Sequence, residues 1–399
     1  MFYCYFIIFL SLLFNSVRFE FTRRKKYFYF YTFLVVFIYA FAYQVGVDWT
    51  VYQKYYIRTI PQITFSSVFQ DKFYFEKGYL LVNVIFNSLN INYEIASGLI
   101  VSVCIFIWFK FLKKYSWNFY FALILLLPSS FADYLLQPVI RQLISITIFL
   151  VAFKYIEKKN FFKYMFLIII SVQFHRSAFL CIFIYFIQYF KINYKTIFLY
   201  IFGIYTFILV FPYIIDKIPV LSSYKNYFLS MAHTGYVERT IYVKVLKILI
   251  LIIRISLIYL SYPAEDNRTN LIKNLAIIFI IISYFQNIIP ILARVQGYFL
   301  IFYIICMSYL AKLRLGRVKI SKNISVIFIC ILSIMTLSIY YKVVYGTKIN
   351  KYIYSKYKNY FIEMLTGDLE QDFYQKARPY VRELNKLKRE EGIKEGEEP

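Results

Sequence analysis

Acidic residues are scarce in this chain: 21 Asp and Glu stand against 46 Lys and Arg, a formal net charge of +25. Histidine occurs twice and tryptophan three times, and only 17% of the 399 residues are charged. With 61% hydrophobic and 23% aromatic residues, too little polar surface remains to cover a soluble globule. The five cysteines, Cys4, Cys104, Cys181, Cys306 and Cys330, lie inside apolar blocks with no CxxC and no Cys/His pairing. They read as small hydrophobes, and no metal site is expected. P-loop, GxGxxG and HExxH patterns are absent, which removes the usual signatures of ATP-driven transport and zinc proteolysis. Alternating ten-residue strands are missing too, which excludes a transmembrane barrel.

What is present is a succession of apolar blocks of membrane-spanning length, such as 27–43, 241–260 and 324–341, separated by short charged loops. The positive charge is banded rather than spread, so it points to membrane topology and not to nucleic acid. Lys and Arg gather in 18–26, 110–114, 154–163, 191–195 and 312–322, and the positive-inside rule makes these loops cytoplasmic. The expected fold is an all-α, polytopic transmembrane helix bundle of about twelve spans (10 to 12), with the lipid bilayer as its first partner. Residues 1–17 read as a retained first helix, since a basic leader and a cleavage site are missing.

The expected spans are 1–17, 27–43, 94–110, 118–134, 138–156, 161–174, 177–190, 196–215, 241–260, 271–289, 294–311 and 324–341. A separate short helix covers 79–89, because Asn90, Asn92 and Glu94 interrupt the apolar block. Block 161–174 is short enough for the pair to be re-entrant. Two external loops, 44–78 and 216–240, belong to a membrane domain of 1–345; a polar tail, 346–399, follows and reads as external, partly helical and frayed.

Charged side chains beside apolar segments are costly and mark function. In Gln137-Pro138-Val139-Ile140-Arg141-Gln142 and in Pro290-Ile291-Leu292-Ala293-Arg294-Val295-Gln296, an arginine follows a proline and opens an inward-running helix. Proline suits a helix start, and the topology puts each guanidinium at the positive, outward-facing helix end. Arg176 and Arg239 stand at outer helix ends by the same reckoning. Four guanidiniums converging on an external cavity could hold a pyrophosphate. The alternative is snorkelling to headgroups or pairing with acids such as Asp133 or Glu238. His175 could accept a hydroxyl proton as a neutral imidazole, or be a satisfied structural group. Asp48, Trp49 and Tyr52, with Glu76 and Tyr79 downstream, suit a carbohydrate site, but Trp and Tyr also populate the interfacial belt of membrane proteins.

The ordered set GVDWTVY, FEKGY, PVIRQLISITIFLVAFKYIEKKNFFK, VQFHRSAFL and ILARVQGYF resembles the EpsG-like branch of Wzy-type polysaccharide polymerases, over roughly residues 40–300. The resemblance implies a membrane-embedded glycosyltransferase that polymerises O-antigen, capsule or exopolysaccharide repeat units at the outer face of the bacterial inner membrane. Growing glycan would pass from undecaprenyl pyrophosphate to the non-reducing end of an incoming lipid-linked repeat unit. It carries over Asp48 and Tyr52 from the family's first loop motif, Glu76 as the following acid, Arg141 as its helix-start arginine, His175 and Ser177 as H-x-S, and Arg294 as its late arginine.

The expected mechanism needs no metal, nucleotide or other cofactor, because the pyrophosphate already activates the donor. Arg141 and Arg294, with Arg176 and Arg239, would bind that group; His175, Asp48 and Glu76, in falling order, would activate the acceptor hydroxyl. Trp49, Tyr52 and Tyr79 would stack on sugar. A chain-length regulator and a flippase are the partners the family implies. The rival functions are a flippase for the same lipid-linked oligosaccharide and an O-antigen ligase-type transferase.

Overall fold

A computed structural model describes residues 2–17, 25–46, 48–70, 73–131, 139–190, 241–262, 266–286, 292–312, 322–355, 357–366 and 373–390, with a few isolated positions between them. The fold is nearly all-α. Helices α1 (Phe2–Val17) and α2 (Lys25–Val35, ending in a π-helical turn Val36–Ala40) lead to strand β1 (Ala42–Tyr43). Then come α3 (Trp49–Arg58), α4 (Lys77–Ser88), α5 (Tyr93–Tyr115), α6 (Phe119–Leu126), α7 (Ile140–Glu157) and α8 (Phe161–Val172). A 3₁₀ helix Arg176–Phe183 runs into α9 (Ile184–Ile187). Beyond residue 240 lie α10 (Ile241–Ser261), α11 (Asn267–Phe285), α12 (Leu292–Gln296), α13 (Leu300–Ser308), β2 (Arg314–Leu315), β3 (Val318–Lys319) and α14 (Lys322–Tyr345). Finally α15 (Lys348–Ser355), β4 (Lys358–Asn359), α16 (Tyr360–Thr366) and α17 (Phe373–Glu390) close the described chain.

Local chemistry explains the boundaries. The break expected at Asn90–Glu94 separates α4 from α5: Asn90 takes a left-handed conformation (φ 56°), and the Asn92 side chain accepts the Ile95 N–H at 2.9 Å to cap α5. Asn118 caps α6 and also donates to the Ser16 carbonyl at 2.8 Å. Asp266 and Thr269 form a capping box at the start of α11. All eight residues of α6 are buried, as expected for a helix that is apolar on every side.

Three helices, Tyr93–Tyr115, Asn267–Phe285 and Ile324–Tyr345, are long and apolar enough to cross a membrane. Phe2–Val17, Tyr27–Ala40, Phe161–Val172, Arg176–Ile187 and Leu249–Tyr259 are shorter apolar helices. A 12-residue helix rises roughly 18 Å against roughly 30 Å of hydrocarbon, so α8 and the helix after it form a short hairpin. Large apolar side chains are exposed along the outside of the bundle, among them Ile7 and Phe14 on α1, Phe33 on α2, Phe162 and Phe166 on α8 and Ile327 and Ile334 on α14. A surface of this kind suits lipid rather than water. The expected span 196–215 and loop 216–240 lie outside the described residues but for two isolated positions.

Helices α5 and α7 run parallel. At one end Lys114 pairs with Glu157 at 3.4 Å, so the basic loops 110–114 and 154–163 share that end. At the other end the chain brings together α3, the starts of α4, α5 and α7, and the turn after α8. The polar segment beyond residue 346 is folded onto this second end. β4 pairs antiparallel with β1, Asn359 opposite Ala42, and α17 lies behind α3.

Candidate active site

Arg141 is the second residue of α7, in the first turn, as the sequence led us to expect. Its Nε donates to the Tyr52 hydroxyl at 2.9 Å and its Nη1 donates to Glu76 Oε2 at 2.5 Å. The guanidinium also lies over the Phe75 ring, 4.6 Å from the centroid. With side-chain exposures of 20% for Arg141 and 12% for Glu76, this pair is largely desolvated, and losing either partner would strand the other charge. Glu76 is therefore a holder of Arg141.

The FEKGY motif has a second purpose. Gly78 N–H donates to the Gln173 carbonyl at 2.8 Å, and a Cβ on Gly78 would stand 2.8 Å from that same oxygen. Only glycine permits the approach. It ties the start of α4, and with it Glu76, to the turn that carries His175.

His175 is buried (5% exposed) and caps the 3₁₀ helix. Its Nδ1 accepts the Ser177 N–H at 3.3 Å and lies 2.6 Å from Ser177 Oγ. Since Nδ1 is the acceptor, the ring proton of the neutral form is assigned to Nε2. Ser177 Oγ continues to the Tyr298 hydroxyl at 3.1 Å, and Tyr298 to Ser145 Oγ at 2.8 Å, a buried hydroxyl chain that starts one turn below Arg141. Burial, reinforced by Arg141, Arg294 and Arg176, lowers the imidazole pKa to about 3. Burial and these charges hold His175 in its neutral form, with Nε2–H free to donate.

Asp48 precedes α3 and makes no side-chain cap bond to it. Burial raises its pKa above the ordinary carboxylate value, outweighing the attraction of Arg141 and then Arg294. Arg294 acts on both Asp48 and His175, and its carbonyl accepts from Gln142 Nε2 at 2.5 Å. It does not open a long helix, contrary to expectation. It lies in the five-residue α12, which ends at Gln296, and the turn 297–299 separates it from α13. Gly297 lacks the side chain that would favour continuing the helix. Arg176 opens the 3₁₀ helix and is exposed. Arg239 lies outside the described residues, as do Asp133, Pro138 and Pro290.

Trp49, Tyr52 and Tyr79 are only 4%, 4% and 3% exposed. Tyr52 stacks on Phe75 with centroids 5.2 Å apart, Tyr79 meets Phe75 edge-on at 5.3 Å, and Trp49 packs on Tyr380 at 5.5 Å. These contacts give each of the three rings a structural partner within the protein. Phe75, Gln142, Ser145, Gln173 and Tyr298 were not singled out from sequence. The polar residues within apolar blocks, Ser145 above all, were the available signal.

A polytopic helical membrane protein with two half-buried arginines, an acid and a buried imidazole gathered at the end away from its basic loops is the class these observations define. The sequence matches the EpsG family over residues 25–360, and the chain belongs to that family, which suggests a polysaccharide-polymerase-like function. No curated protein and no solved structure matches it.

Proposed function

We propose that this chain extends a polysaccharide at the outer face of the bacterial inner membrane. It would transfer the growing glycan from undecaprenyl pyrophosphate to a hydroxyl of an incoming lipid-linked repeat unit. The observation that carries this reading is the convergence of Arg141, Arg294, Asp48 and His175 at one end of the bundle, Arg141 held there by Glu76 and Tyr52.

In the reaction the acceptor oxygen attacks the anomeric carbon of the donor sugar, and the bond from that carbon to the phosphate oxygen breaks. Negative charge grows on the departing pyrophosphate, where Arg141 and Arg294 stabilise it with guanidinium donors. Neutral His175 adds Nε2–H as a further donor, a role that a low imidazole pKa favours. Asp48 takes the acceptor proton; its raised pKa makes it a better base than an ordinary carboxylate. Arg176 and Arg239 would draw the carrier's phosphates toward this end.

The test replaces the chromosomal copy with Arg141→Ala or Asp48→Asn and examines surface glycan on gels at matched protein levels. Single repeat units without polymer are expected from both variants and from the deletion. Loss of all surface glycan in the deletion would indicate a flippase, and long chains retained on the carrier a ligase. Normal-length polymer from both point variants would overturn the assigned roles.

A further inference from the structure

Helix α12 carries Arg294, yet it has only five residues. A helix this short gains little from its internal hydrogen bonds, and its last carbonyls lack the N–H groups that a longer helix would supply. The turn that follows does not make up the shortfall at Arg294: Tyr298 N–H donates to the Val295 carbonyl at 3.2 Å and Phe299 N–H to the Gln296 carbonyl at 2.9 Å. The Arg294 carbonyl accepts from a side chain, Gln142 Nε2, at 2.5 Å.

The identity of that donor matters. Gln142 follows Arg141 directly on α7 and is 3% exposed. One bond, across 152 positions of sequence, therefore joins the two segments that carry the arginines. Other bonds fasten the chain further on: Gln296 Nε2 donates to Ser283 Oγ on α11 at 2.6 Å, and the Tyr298 hydroxyl lies 2.8 Å from Ser145 Oγ on α7. They act two and four residues after Arg294, whereas Gln142 holds Arg294 itself. An α-helix turns roughly 100° per residue, so a modest rotation of a loosened α12 would carry the guanidinium off the site. Arg141 and Arg294 both act on Asp48 and on His175, so they face the same place.

We infer that Gln142 is a positioning residue: it fixes the backbone of Arg294 against α7, so that Arg141 and Arg294 address one diphosphate together. The inference rests on the reading that these arginines hold the donor's pyrophosphate. A buried glutamine bonded to a carbonyl is also an ordinary way to satisfy a core amide, so the test must register more than stability.

The probe is inorganic pyrophosphate, titrated calorimetrically into purified full-length protein in detergent. Wild type, Gln142→Met, Arg294→Ala and the double variant are compared, with thermal unfolding recorded for each. Methionine keeps the length of glutamine and removes the donor. If it prevents folding, Gln142→Asn takes its place, a shorter amide that stays polar but does not span the gap. Polymerisation of lipid-linked repeat units by the same proteins is followed in parallel.

Gln142→Met should weaken pyrophosphate binding roughly fivefold and Arg294→Ala roughly tenfold. The double variant should bind no more weakly than Arg294→Ala, because Gln142 acts through that arginine. A residue that only stabilises the fold would lower the unfolding temperature and leave affinity unchanged, or weaken binding by the same factor with and without Arg294. Either result overturns the inference, and polymer formed by the wild type would then leave the polymerase reading standing without it. If the wild type binds no pyrophosphate, the arginine site and the inference fall together. If the expected binding pattern holds but no polymer forms, Gln142 keeps its role and the polymerase reading falls.

Discussion

At the scale of single residues, two titratable groups in this site have moved in opposite senses. Burial lowers the pKa of His175 to about 3 and raises that of Asp48. For activity, the imidazole stays neutral across the physiological range, so no inflection near the ordinary imidazole value of roughly 6.5 is expected from it. The rate should instead rise with pH as Asp48 loses its proton, at a pH raised by burial from the ordinary aspartate value. Rate profiles of the wild type and His175→Gln check this: the acid limb should persist in the variant, and its loss there would assign it to the imidazole. For stability the signs separate as well. A lowered histidine pKa means the unfolded state binds more protons between the two values, so its contribution is present above about 6.5 and is lost as pH falls toward about 3. Thermal unfolding of detergent-solubilised protein from neutral to acid pH should show a smaller loss in His175→Gln. The arginines were legible because a cation in a tight, apolar turn is conspicuous. The burial of Trp49, Tyr52 and Tyr79 was not, since an aromatic residue in a loop reads the same whether its partner is sugar, lipid or protein.

At the scale of elements, the site depends on how closely separate segments approach. Gly78 sets the distance between α4 and the turn at Gln173. Gly78→Ala should destabilise the protein by about 1–3 kcal/mol, the usual cost of overpacking, and should move Glu76, and therefore Arg141, away from His175. A lowered unfolding temperature together with reduced polymer would agree with this; unchanged values in both would show that the turn yields freely. The glycine was visible in FEKGY, but its partner was not, because nothing in the sequence marks Gln173 as the residue it meets. Helix α12 shows the opposite limit. Residues 294–311 form one apolar block in sequence, and hydropathy cannot register a turn at 297–299 that interrupts the helix without changing polarity. The division at Asn90 was readable for the converse reason, since there the polar residues are also the capping residues.

At the scale of the whole molecule, the polar residues beyond 346 pack against the end of the bundle that carries the site. Tyr357 OH donates to the Ile38 carbonyl at 2.8 Å, Asn359 Nδ2 to Phe37 O at 2.6 Å, and Tyr360 N–H to Phe41 O at 2.9 Å. Further on, Tyr380 on α17 donates to the Gly46 carbonyl at 2.7 Å and packs on Trp49. Gly46, with φ of 90°, is in a conformation that disfavours other residues, so this bond fixes the turn immediately before Asp48. Composition reads 346–399 as a partly helical, frayed tail; the mixed-charge end beyond 390 lies outside the described residues, and α17, though strongly charged, still buries one stripe. Tyr380→Phe removes only the hydroxyl bond and should cost about 1 kcal/mol, whereas Tyr380→Ala also leaves Trp49 without its packing partner. The expected consequence is local: trypsin should cut at Lys54 or Arg58 in the alanine variant at concentrations that spare the wild type, because the first loop opens without global unfolding. If the loop stays resistant in Tyr380→Ala, α17 covers the site without positioning it, and the order of α3 comes from Arg141, Tyr52 and Gln53 alone.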